Sequence, residues 1–253
     1  MKISGLFAVF FLLAVFFISG CGWKVDPSQQ DVSNNLHINN NDPSSSSVSV
    51  AGIWQGTYET AKGQIYSVTG IIDSSGEARF ALSSGTNFVG GVTTSNASIN
   101  GPFNVYDPSG MVNGLTSLSG SFSSAAIIAK YAMPSGPTAF YNGTLNVTPN
   151  AVYSNPADLA SVGGKWDNTA DGLYFSIDGT SGLFTANNTL NGCFYSGDIT
   201  VPDSSKNVYA LTLSISGCGK DGSYTGLGFI NGDSFTYLIS SPQQASSETL
   251  AKQ

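Results

Sequence analysis

Gly164-Lys165-Trp166, then Tyr174 and Ile177, then Asp178-Gly179-Thr180-Ser181-Gly182 and Leu183-Phe184 form the stretch that decides how this chain folds. Aromatic and apolar residues on both sides of an Asp/Ser/Gly run read as two β-strands joined by a tight turn. Asp and Ser bond the turn backbone, and Gly supplies positive φ. Earlier in the chain, Gly52-Ile53-Trp54, Tyr66 and Val68, Asp73-Ser74-Ser75-Gly76 and Phe80 run in the same order. Both halves therefore open on Gly-X-Trp, enter an aromatic-rich strand, turn, and leave on a second strand.

This internal repeat predicts an all-β chain of two tandem small antiparallel β-barrel or curled-meander domains, spanning 50–150 and 156–241. Further strands are expected at 87–94, 97–105, 115–123, 125–132 and 138–147. Phe103 to Tyr106 matches Phe194 to Val201, and Tyr141 to Leu145 matches Tyr224 to Gly228. Asn155-Pro156-Ala157-Asp158 looks like a helix start and Gly163 like its stop, so one short helix is expected near 156–162. Residues 242–253 read as a disordered C-terminal tail. A single large sandwich is the competing architecture.

Composition agrees. Of 253 residues only 10% are charged, against roughly 25% in an average soluble protein. Three Glu and one Arg (Arg79) cannot dress long exposed helices. A net charge of −7 opposes a phosphate-binding surface, so no nucleic-acid partner is expected. Hydrophobics at 41% still supply a core.

The N-terminus gives a destination. Lys2 precedes an apolar run from Leu6 to Ile18, which ends in Ile18-Ser19-Gly20-Cys21. The run is too short to span a bilayer and reads as a secretory signal. Ile18-Ser19-Gly20-Cys21 resembles the lipobox of bacterial lipoproteins. The resemblance covers residues 1–21 and implies that 1–20 are removed and that Cys21 carries the lipid anchor, attaching the chain to a membrane through its acyl chains. It also implies the outer membrane, because Gly22 and not Asp follows the cysteine. Residues 21–49 hold the lipidated Cys and an Asn/Ser-rich stretch that reads as a flexible tether with a reach on the order of 25–30 Å.

Catalytic motifs are scarce. His37, the single histidine, lies in the tether, so no Ser-His-Asp apparatus or His-built metal site is expected in either half. No cofactor or metal is expected. Cys193 and Cys218 are expected to form a disulfide, since an exported protein oxidises spare thiols. Two carboxylates could still serve a hydrolase, with Glu59, Glu77, Asp107, Asp167, Asp171, Asp178, Asp198, Asp221 and Asp233 as candidates, most of them in turn contexts. Asp167 to Gly172 and Gly219 to Gly222 offer oxygen ligands but match no ordered calcium loop.

Rings are the more informative set. Trp54, Tyr66, Trp166, Tyr174, Tyr195 and Tyr224 are the candidate ligand or partner contacts; the competing reading makes them barrel filling. Gly-X-Trp at Gly52 and Gly164 resembles the opening of lipocalin-like barrels, which implies a tryptophan packed across each barrel base, although neither half has room for a lipocalin's terminal helix. The expected function is an outer-membrane-anchored, non-catalytic binding module for an envelope protein or surface ligand. The alternatives are a lipocalin-like carrier of a small apolar ligand, an aspartate-dependent hydrolase, and a purely structural envelope component.

Overall fold

Two turns show why the repeat in sequence is a repeat in structure. Asp73 Oδ1 accepts the Ser75 N–H at 2.9 Å, and Asp178 Oδ1 accepts the Thr180 N–H at 2.8 Å. Each turn ends on a glycine at positive φ, Gly76 at +90° and Gly182 at +76°, whose carbonyl accepts the N–H of Val92 or Ile199 later in the chain. A Cβ on either glycine would collide with the carbonyl oxygen of that same later residue. Glycine is therefore required twice, at equivalent places.

The computed structural model describes residues 49–132 and 142–253. The signal segment, Cys21 and the tether up to residue 48 lie outside the described residues. Strands β1 (Gly52–Thr60), β2 (Ile65–Ile72), β3 (Glu77–Leu82), β4 (Asn87–Gly91), β5 (Thr93–Ser95), β6 (Ser98–Tyr106), β7 (Val112–Phe122), β8 (Ile127–Ala132) and β9 (Gly143–Pro149) form the first half. Apart from β4 and β5, each pairs with the next in an antiparallel meander. β4 pairs directly with β6, short β5 extends alongside β6, and β9 returns to β1, which closes an eight-stave barrel.

The second half contains β10 (Gly164–Asn168), β11 (Leu173–Ile177), β12 (Leu183–Asn188), β13 (Phe194–Thr200), β14 (Tyr209–Ser216), β15 (Gly222–Asn231), β16 (Ser234–Ser240) and β17 (Ala245–Lys252). β10 pairs with β17 to close it. Residues 242–253 are thus no disordered tail; most of them form the last stave. Only Ala245 and Leu250 of β17 are buried, so its apolar alternation is faint. Barrel closure, which consumes both sheet edges, supplies the pairing. Counting staves also corrects the later correspondences: β6 matches β14 and not β13, and β9 matches β17 and not β15.

The helical signal shifts as well. α1 spans only Leu159–Val162, and its cap is Asp158, whose side chain accepts from the Ser161 N–H at 2.6 Å. Asn155 instead ends a 3-10 turn at Ala151–Ser154. Ala157, between them, donates its N–H to the Ser204 carbonyl and is buried, which holds that segment extended.

Three cores result. Each barrel has its own, and a third, built from Ile53 and Ile71 on one side and Val208, Leu227, Phe229 and Leu238 on the other, glues the outer walls together. Backbone bonds from the Val112 N–H to the Gln243 carbonyl and from the Ala245 N–H to the Gly110 carbonyl extend this seam. The two barrels belong to one compact unit.

Candidate functional site

Six rings were expected to make contacts, and the fold scatters them. Trp54 and Trp166 lie inside, 3% and 1% exposed, at equivalent positions. Their indole N–H groups donate to the Val50 carbonyl at 3.1 Å and the Val162 carbonyl at 2.7 Å, each four residues upstream. They plug the barrel ends and satisfy their own polar atom there. Tyr66 is half-buried against the first core. Tyr195 and Tyr224 are buried in the second barrel, near its mouth, and Tyr174 stands on that barrel's outer wall.

The mouth contains a residue that sequence reasoning passed over. Glu248, on β17, pairs in register with Tyr237 and faces the interior. Burial raises its pKa, and repulsion from Asp171 raises it further; the Asn168 hydrogen bond and Lys220 oppose the shift. Asn168 Nδ2 donates to Asp171 Oδ2 and lies 3.4 Å from Glu248 Oε2, so one amide bridges two carboxylates. Around them, burial pushes up the hydroxyl pKa of Tyr237 and Tyr195, with Glu248 adding to both. Tyr224 Oη donates to the Lys220 carbonyl at 2.8 Å.

A disulfide frames this mouth. Cys193 and Cys218 are bonded, as expected from the sequence, with Cα atoms 5.0 Å apart. They join the approach to β13 with the exit of β14. The space among Leu173, Asn188, Tyr195, Tyr224, Tyr237 and Glu248 is about 50 Å³, enough for water. Glu248 was missed because its strand reads as a polar tail; its one signal is an acidic residue two places before a buried leucine.

Between the barrels lies a cleft of about 500 Å³ with Arg79 at its floor. This guanidinium is 2% exposed. It pairs with Glu77 at 2.7 Å and donates to Ser240 Oγ at 2.9 Å and Thr225 Oγ1 at 3.1 Å. Burial lowers its pKa against the pull of Glu77. Its bonds to Ser240 and Thr225 clasp the second barrel to the first, which makes it structural.

The outer wall of the second barrel differs in character. A groove of about 470 Å³ runs along β10 to β13, its rims formed by Tyr174, 38% exposed, and Phe194, 62% exposed. Register places Asn187 opposite both rings, and Ser176 opposite Thr185 in the next row. Lys165 and Gln253 complete one end. The seam with the first barrel uses β14 to β17, so the part of the groove on β11 to β13 lies on staves outside it.

The described residues contain no cluster of three or more His, Cys, Asp or Glu that could hold a metal ion. No family model matches the chain, and no curated protein matches it. Among solved structures, a candidate outer membrane protein of Bacteroides fragilis aligns over 81% of this chain and 98% of its own, at 12% identity and a TM-score of 0.25. A superposition that loose carries no argument about what this chain does.

Proposed function

We propose that this chain is a lipid-anchored protein of the bacterial outer membrane whose paired barrels act as a binding module and not as a catalyst. The observation that carries the reading is where open space lies. The second barrel is filled by Trp166, Phe175, Phe184, Tyr195, Phe235 and Tyr237, and the first by Tyr58, Phe80, Phe88, Phe103 and Tyr131. Small-molecule sites need about 300–1,000 Å³, whereas the second barrel's mouth offers about 50 Å³. Carriage of an apolar ligand inside a lipocalin-like barrel loses its support. Recognition falls to the outer wall, where a groove of about 470 Å³ presents rings and neutral polar groups.

Anchoring rests on the lipobox at Ile18-Ser19-Gly20-Cys21. Cells fed labelled palmitate should label the wild-type chain, and Cys21→Ala should remove both the label and the membrane association. Label persisting in the variant would overturn the anchor.

One observation favours a second reading. Asn168 brings Glu248 and Asp171 together, a pair of carboxylates such as a hydrolase uses, and Glu248 is held towards its protonated form. That reading requires turnover of a small glycoside or ester that Glu248→Gln abolishes without unfolding the barrel. Turnover that persists in the variant, or none in the wild type, removes it.

A further inference from the structure

The outer wall of β11 to β13 is an ordered array. Cross-strand register sets Tyr174, Asn187 and Phe194 in one row and Ser176, Thr185 and Ser196 in the next. All six are exposed. Their side chains make no hydrogen bond among the described residues, unlike the Asp, Asn and Ser side chains that tie the turns. The two rings are separated by two interstrand spacings, about 9–10 Å, which matches the distance between alternate rings of an extended β-1,4-linked pyranose chain. Aromatic faces take the apolar face of a pyranose, and hydroxyl and amide groups take its hydroxyls.

Charge selects the same class. Lys165 stands at one end of the groove, and Asp167 at that end is occupied by the Gln253 side chain. Everything between is neutral, and the whole chain carries −7. A phosphorylated or strongly acidic ligand would meet an opposing field, whereas an uncharged polyhydroxylated one meets complementary donors and acceptors.

Phe194 is also held in place. Its ring edge lies against Gly217, where an added Cβ would sit 3.4 Å away. Cys193, its neighbour, is tethered to Cys218, the neighbour of Gly217. The disulfide thus restrains the backbone that carries the ring at the start of β13 and reduces the ordering cost of binding.

We propose that this wall binds an extended, uncharged β-linked glycan chain, with Tyr174 and Phe194 stacking on alternate sugar rings and Ser176, Thr185, Asn187 and Ser196 bonding the hydroxyls between. The proposal rests on the binding-module reading and names its ligand class. The test titrates the full exported chain in detergent with cello- and chito-oligosaccharides of two to six units. Affinity should rise sharply between the two- and three-unit oligomers, where both rings first engage. Tyr174→Ala and Phe194→Ala should each weaken binding about tenfold, the size of one ring contact. Tyr174→Phe should retain binding, and Leu115→Ala on the first barrel should leave it unchanged. No binding by any oligomer, or binding undiminished in the Tyr174→Ala, Phe194→Ala double variant, overturns the glycan assignment. If oligosaccharides fail while an envelope protein still crosslinks to the wild-type groove and not to the double variant, the ligand class falls and the binding module stands.

Discussion

The two barrels share a plan and differ in how they finish it. Both have eight staves in a meander, a tryptophan bonded to the carbonyl four residues upstream, and an Asp turn ending on a glycine. Inside the first, rings pack on one another: Phe88 stacks on Tyr131 at 4.3 Å, and Phe103 meets it edge-on at 5.4 Å. Among the described residues it leaves Thr116 Oγ1 and the Tyr131 hydroxyl without partners inside, and Asn87 Oδ1 without one on its outer face. In the second barrel, Tyr209 donates to the Asp158 carbonyl at 3.2 Å, Tyr224 reaches the Lys220 carbonyl, and a disulfide closes the mouth. One architecture has yielded two ring-filled barrels, and the second adds a disulfide, a polar mouth and an outer wall with exposed rings.

The largest effect expected is from removing that brace. The disulfide closes a separation of 25 residues, worth about 3–4 kcal/mol in the chain-entropy model. A Cys193→Ser, Cys218→Ser variant should lose amide exchange protection in β13 and β14, with β1 and β9 losing much less. Equal loss in both barrels would show that the seam makes them one cooperative unit.

Paired hydroxyl deletions sharpen the contrast at a smaller scale. Tyr209→Phe forfeits a hydrogen bond and should cost about 1 kcal/mol in urea unfolding, whereas Tyr131→Phe removes a buried hydroxyl with no partner among the described residues and should be neutral or slightly stabilising. Equal costs would mean that the two interiors are satisfied alike.

Smallest, and specific to the second barrel, is a pH effect at Glu248. Its folded pKa lies above its unfolded one, so the folded state holds the proton more tightly. Stability should therefore fall as pH rises from the ordinary glutamate value of about 4.3 to the higher folded value, and stay level beyond it. Glu248→Gln should abolish this contribution and equal or exceed the wild type in urea midpoint at neutral pH. A wild-type midpoint that rose relative to the variant over that range would reverse the assignment.

Much of the fold was legible in local chemistry. Gly-X-Trp, the Asp turns and strand alternation are written within a few residues, and the structure bears out the tandem barrels and the Cys193–Cys218 bond. Less of the candidate site was legible. Of the six rings, only Tyr174 stands exposed at the outer groove, and its companion Phe194 was overlooked because an outward phenylalanine and an inward one look alike without a register. Glu248 and Arg79 take their roles from strands distant in sequence: Glu248 from closure of β17 on β10, Arg79 from hydroxyls on β15 and β16.

Residue types alone determined that this chain is all-β and twice repeated, and that it is oxidised at one pair of cysteines, since turn chemistry, alternation and thiol count are local properties. Tertiary structure decided that Ala245–Lys252 is a stave, that the barrels share a buried seam, and which rings face outward. Those outcomes depend on register and closure. A one-residue slip in pairing exchanges the two faces of a strand, and the nearly polar β17 acquires its place only when both barrel edges need a partner.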